Sequence, residues 1–170
     1  MYIPFDEIDF EARLWIYQTD RLLTSEEAGT LGEMLRSVLN GWETHGKPLT
    51  ASGKIFYNRF VVIAVDESRE MPSGCSIDTS VNWLKEIGLK MNIDFFDRSP
   101  AWLDNSDVVH TVSLPQVKQA IKDGIIKAHT TVFDNLVQNK AQWMKRWKIP
   151  ASNSWMKKYL EEAEENSEAY

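Results

Sequence analysis

The sequence predicts an α+β fold, and three observations carry that prediction. A short β-rich run, Leu14–Gln18, stands ahead of a capped amphipathic helix. Two extended runs, Thr50–Tyr57 and Phe60–Val65, follow with only Asn58-Arg59 between them. A second helix signal opens at Ser73-Gly74-Cys75-Ser76. Strand, helix, two strands and helix is the order of a split βαβ unit, so the expected core is ferredoxin-like: an antiparallel sheet with helices on one face. An α/β extension follows it. The expected division is a core at 1–114, an extension packed on it at 115–160, and an acidic flexible tail at 161–170.

Each element has its own signal. Residues 1–12 read as an irregular lead-in with Phe5, Ile8 and Phe10 available to pack. Thr24-Ser25-Glu26-Glu27 matches a capping box, in which the N-cap hydroxyl and the glutamate three residues on satisfy each other's backbone N–H. Behind it Leu31, Met34, Leu35, Val38, Leu39 and Trp42 recur at spacings of three and four, giving one apolar stripe. Gly41, Gly46 and Pro48 end that helix. Thr50–Tyr57 and Phe60–Val65 make either a hairpin or one long strand bulged at Asn58. The unbroken apolar character of 60–65 marks a central strand covered on both faces. The second helix is expected to turn Ile77, Val81, Leu84, Ile87 or Gly88, and Met91 inward. Ile93–Phe96 or Val108–Leu114 would close the sheet. Leu114-Pro115 opens a short helix with Val117, Ala120 and Ile121 inward and Gly124 at its end. Thr130–Phe133 reads as a strand, Asn139–Trp147 as a helix stopped by Pro150, and Ser154–Leu160 as a last turn or two.

Bulk composition narrows the function classes. A chain of 170 residues with 43% hydrophobic and 11% aromatic content has ample material for a core. One cysteine excludes an internal disulfide framework and any zinc site needing two thiolates from this chain. The opening MYIPFDEIDF carries acids where a signal peptide needs basic residues, and the longest apolar run is far below the roughly 20 residues of a membrane helix. A cytoplasmic protein with no membrane association is expected. The net charge of −6 argues against nucleic acid as a partner of the whole chain. Charge is unevenly placed, however. Residues 135–160 hold no acid and six cations, Lys140, Lys145, Arg146, Lys148, Lys157 and Lys158, whereas 161–170 hold five glutamates.

Two stretches could carry chemistry. A helix N-terminus stabilises negative charge and lowers a thiol's pKa, so Cys75 with Asp78, Thr79 and Asn82 on the same helix side forms a candidate ligand-binding face. Asn58 and Arg59 complete that candidate pocket. The plain alternative is a small buried cysteine beside a capping serine. Known anion loops do not fit. A phosphatase-type loop needs Arg where Val81 stands, and a dinucleotide loop needs more glycines than Gly74. Gly53-Lys54 lacks the Ser or Thr, the earlier glycine and the following helix of a nucleotide-binding P-loop. His45, His110 and His129 are dispersed without ligand spacing, so neither metal nor cofactor is expected, and no catalytic set is visible. The second stretch, 140–158, interleaves Trp143, Trp147 and Trp155 with the six cations. It reads either as a groove for peptide or nucleic acid, or as a helix whose tryptophans pack inward beneath solvated lysines.

Several runs resemble a group of small uncharacterised bacterial proteins commonly labelled "ABC transporter ATPase". They are Met1–Glu7, Tyr57–Asp66 and Ser73–Asp78, with Thr131–Val137, Trp147–Ala151 and Ser154-Trp155. The likeness covers most of 1–160. The label itself conflicts with the missing P-loop, so the resemblance implies no chemistry and no functional residues. Val117–Trp147 is also similar to GYF-type peptide-binding modules, in the order helix, Gly124-Ile125, Thr131-Val132-Phe133, then tryptophans, although the Gly-Tyr-Phe signature is absent. The expected function is therefore a non-catalytic binding or interaction domain with a protein partner or self-association. Two alternatives stand beside it: a small enzyme or ligand binder around Cys75, and nucleic-acid binding by 140–158.

Overall fold

A computed structural model describes residues 1–168, which fall into two units. The first joins Met1–Asp97 to Leu136–Met144, and the second joins Arg98–Asn135 to the chain from Lys145 onward. The expected core at 1–114 thus contains pieces of both.

In the first unit the order is β1 (Arg13–Gln18), α1 (Ser25–Asn40), a small hairpin of β2 (Glu43–Thr44) and β3 (Lys47–Pro48), then β4 (Ala51–Phe56), β5 (Phe60–Val65) and α2 (Gly74–Met91). The sheet runs β1-β5-β4 with both pairs antiparallel. All six residues of β5 are buried, which explains why its sequence does not alternate. Tyr57 and Asn58 adopt φ of 54° and 52°, and Arg59 N donates to Phe56 O at 3.1 Å. These left-handed residues make a tight hairpin, deciding against one bulged strand.

The capping box forms as expected: Glu27 N donates to Thr24 Oγ1 at 3.1 Å and Thr24 N to Glu27 Oε1 at 3.0 Å. Leu31, Leu35 and Leu39 of α1 and Leu84 and Ile87 of α2 pack with Val61, Ile63 and Val65. Helix α2 is rotated from the expected orientation. Ser76 and Ser80 are buried, while Ile77 and Val81 are only half-buried. The reason is polar. Ser76 Oγ donates to Glu43 O at 2.9 Å, Trp42 Nε1 donates to Ser76 O at 3.0 Å, and Ser80 Oγ returns to Ile77 O at 2.6 Å. With their hydroxyls satisfied, these serines cost little to bury and let α2 approach β2 closely.

Neither expected closing strand closes the sheet. Phe96 makes a single parallel bridge to Gln18, and Val108–Leu114 contributes its strand to the other unit. The open side of β1 is instead met by 138–141, where Leu14 N donates to Gln138 O at 2.9 Å and Lys140 N to Ala12 O at 3.0 Å. Lys140 begins α4 (Lys140–Arg146). On the sheet face away from α1 and α2, Phe5, Ile8, Ala12, Leu14, Val62 and Ala64 form a second cluster, with Phe56 and Trp143 against it. Lys140 is 5% exposed, and its ammonium pins the lead-in there. It donates to Phe5 O at 2.9 Å, Ile8 O at 2.7 Å and Asp6 O at 3.3 Å.

The second unit holds β6 (Ala101–Leu103), β7 (Val109–Thr111), α3 (Val117–Lys122), β8 (Thr131–Phe133), β9 (Lys148–Pro150) and α5 (Lys157–Glu168). Its antiparallel sheet runs β7-β6-β8-β9. Val117, Ala120 and Ile121 face its core, as the spacing predicts, beside Ile126, Val132, Ala151 and Met156. The chain beyond 160 departs from the expected flexible tail. It stays helical through Glu168 because Leu160 and Ala163 extend the face of Tyr159 against that core, while the glutamates point outward. Ala169 and Tyr170 lie outside the described residues. Among the described residues no helix is long and apolar enough to cross a membrane.

Candidate binding cleft

The structure splits the expected Cys75 pocket. Cys75, Asp78, Thr79 and Asn82 do share one side of α2, and all four are exposed, so the buried-cysteine alternative fails. The Thr79 hydroxyl is already committed, donating to Cys75 O at 2.8 Å. Asn58 and Arg59 sit elsewhere. The N-terminus of α2 is tied to Trp42 and Glu43, whereas the β4–β5 turn lies at the far end of the strands, where Thr19 and Leu23 hold it. Arg21, from that same far segment, reaches Met91 O at the other end of α2, at 3.2 Å. A helix of this length separates its two ends by roughly 27 Å, so the six residues form no single pocket. Arg59 is buried, with Nε donating to Thr19 O at 2.9 Å, and burial holds its pKa below the usual arginine value against the opposing pull of Asp97 and Asp20.

The basic, tryptophan-rich stretch is not one face either. Lys140 is buried under the lead-in, and Trp143 packs with Phe5 and Phe56 at centroid distances of 5.1 and 5.0 Å. Trp147 is buried in the second unit with Nε1 donating to Asn135 Oδ1 at 2.9 Å, and Trp155 alone of the three is exposed. Among the described residues no group of three metal-ligating side chains occurs. His110 pairs with Asp104 instead, at 2.7 Å between Nε2 and Oδ2, and stacks on Trp102. That hydrogen bond, helped by the backbone N–H of Val108, holds the Asp104 carboxyl below its ordinary range.

What the first unit does assemble is a cleft of about 1090 Å³ along the outer edge of β4, lined by the lead-in, α1 and the strand itself. Its floor follows from the ladder. Asp66 N donates to Thr50 O at 2.9 Å, which makes Ala51↔Val65 a non-hydrogen-bonded pair. Ser52 and Lys54 then exchange their bonds with β5, and Ala51, Gly53 and Ile55 turn theirs outward. Ala51 is served by the lead-in: its N–H donates to Met1 O at 3.0 Å, and Ile3 N donates to its carbonyl at 2.9 Å. Pro4, without an N–H, cannot extend that pairing. The main-chain groups of Gly53 and Ile55 are left facing the cleft with no partner among the described residues.

No family model, no curated protein and no solved structure matches the chain.

The α1 wall of the cleft contains Gly29 and Gly32. A Cβ at Gly29 would meet nothing within 4 Å, and one at Gly32 only Ile55 Cδ1 at 4.0 Å. Gly53 is different. A Cβ there would come 2.6 Å from Leu39 Cδ1 and 2.8 Å from Leu35 Cδ2, so its absence lets α1 lie close to β4. Arg36 stacks over Tyr2 at 5.1 Å, and Lys54 Nζ stands 3.9 Å from Asp6 Oδ1. The arrangement offers main-chain hydrogen bonding along an extended edge, beside a helix wall that carries Glu33, Arg36, Ser37 and Asn40 but no side chain at Gly29 and Gly32. The sequence reading passed over this site. Two glycines inside a helix that is otherwise well capped were the available signal.

Proposed function

We propose that this protein is a non-catalytic interaction module of the cytoplasm, related to the small bacterial proteins it resembles, and that it takes a protein partner in the β4 cleft. One observation carries the reading: a cleft of about 1090 Å³ whose floor presents unpaired N–H and C=O groups of Gly53 and Ile55. Exposed strand edges are otherwise covered, charged or shortened, since they template pairing with another chain. The first unit is read as a ferredoxin-like core lacking its fourth strand. Supporting that, β1 and β4 flank β5 antiparallel, and the helices α1 and α2 share one face.

The test compares the full chain with a Gly29→Trp variant, at a cleft-lining position where an added Cβ meets nothing within 4 Å. Both are immobilised and exposed to a bacterial lysate, after circular dichroism has shown equal folding. The reading requires a retained protein that the variant loses. Identical retention by both refutes it.

A further inference from the structure

We infer that the occupant of the β4 cleft is an extended peptide that adds as a strand to β4, with an acidic residue opposite Lys54 and small residues on either side of it. This rests on the cleft being the binding site, as proposed above.

The backbone sets the mode. Gly53 and Ile55 each present one donor and one acceptor outward, two residues apart, which is the spacing an added strand satisfies. The side-chain pattern follows from alternation. Residues 51, 53 and 55 face α1, where Ala51 and Ile55 join the α1 cluster, and residues 52, 54 and 56 face the opposite side, where Phe56 packs. In an antiparallel addition, a peptide residue directly across from Lys54 sits in a non-hydrogen-bonded pair, the closer of the two cross-strand geometries. Lys54 is the cation at that point. Its ion pair is the long one to Asp6, whose side chain is 85% exposed. The peptide residues opposite Gly53 and Ile55 instead point toward α1, over Gly29 and Gly32, where Glu33 and Arg36 flank the two glycines and small residues fit best.

A second copy of this chain fits the same edge less well. A two-fold arrangement pairing Gly53 with Ile55 of the other copy would set the two Lys54 side chains directly opposite each other, and like charges in that position are unfavourable. The charge at the centre of the edge thus selects an acidic peptide over self-pairing.

A phage-displayed library of random linear dodecapeptides, panned against the immobilised full chain, tests the inference. The selected peptides should share one Asp or Glu flanked by Gly, Ala or Ser. They should slow amide exchange at Gly53 and Ile55, and weaken about 5- to 10-fold against Lys54→Glu. Peptides that Gly29→Trp abolishes, but that show no acidic position or are insensitive to Lys54→Glu, would overturn the occupant while leaving the cleft as the site. Peptides that bind Gly29→Trp as well as the parent, or no selection at all, would overturn the cleft and the occupant together.

Discussion

Gly29 and Gly32 provide the sharpest test of how this cleft is built. Glycine inside a helix is about 1 kcal/mol less favourable than alanine, largely because the unfolded chain loses more freedom on folding. Both residues lie in the body of α1, with caps on either side. A methyl group at 29 would meet no atom within 4 Å, and one at 32 would make an ordinary contact with Ile55 Cδ1 at 4.0 Å. No strain term therefore opposes the gain. Gly29→Ala and Gly32→Ala should each stabilise the protein by about 0.8–1 kcal/mol, and the double variant by about 1.5–2 kcal/mol, since separate sites add to within about 0.5 kcal/mol. Urea unfolding reads this as a raised midpoint with an unchanged slope. The same methyl groups narrow the cleft, so peptide binding should weaken as stability rises, the trade expected where a site is kept open at the expense of the fold. A loss of stability in either single variant would refute the reasoning, because it would mean the glycines serve the fold itself.

Three further outcomes follow from the packing. Lys140→Met keeps the stem but removes an ammonium donating to three carbonyls; with charge-assisted bonds at 2.7 and 2.9 Å lost and a buried charge relieved, it should cost about 2–4 kcal/mol and speed amide exchange across residues 3–12, and unchanged exchange there would contradict the lock. Gly88→Ala places a methyl group against the backbone carbonyl of Ile93, which cannot move without disturbing the Ile93 N–Gly88 O bond at 2.9 Å, so a loss of about 2 kcal/mol or more is expected in chemical denaturation, where a neutral result would show that the α2 terminus yields freely. Glu27 is held down to about 2 by its hydrogen bonds from Arg21 and then from the Thr24 backbone; a carboxylate depressed in the folded state contributes stability that is fully present above its unfolded pKa of 4.5 and is lost as pH falls toward 2, so Glu27→Gln should flatten the stability–pH curve between those limits and leave its shape above pH 5 unchanged.

Much of the local architecture was legible because its signals are local. The capping box at Thr24, the stop at Gly124 and the inward set Val117, Ala120 and Ile121 each depend on neighbours a few residues away. Three other features depended on distant partners. Ser76 and Ser80 are polar by type, and it takes the carbonyl of Glu43, far back in the chain, besides the local Ser73 hydroxyl, to satisfy Ser76 inside. The closing strand was sought in the next extended run, whereas the chain meets β1 with residues 138–141, beyond three strands of the second sheet. The expected pocket joined Cys75 to Asn58 and Arg59; the six-residue strand between turn and loop carries them to opposite ends. The cleft was illegible for the complementary reason. An unpaired strand edge is a property of which strands fail to arrive, and Gly29 and Gly32 mark only the wall beside it.

The late return of residues 136–144 to the first unit has a consequence for the order in which the protein is made. On the ribosome, β1, α1, β4, β5 and α2 are complete well before Gln138 and Lys140 exist as peptide. At typical elongation rates of about 5–20 residues per second, the intervening stretch 98–135 occupies roughly 2–8 s. During that interval the Leu14 end of β1 lacks its partner and the lead-in has no ammonium to hold it, so the nascent first unit exposes more of the outer flank of β1 than the finished one. A chain stopped at residue 135 would keep that stretch of β1 uncovered, making it a template for pairing between nascent chains. Lys140 is in this sense a completion signal: its backbone N–H pairs with Ala12 at the start of β1, and its ammonium fixes the lead-in.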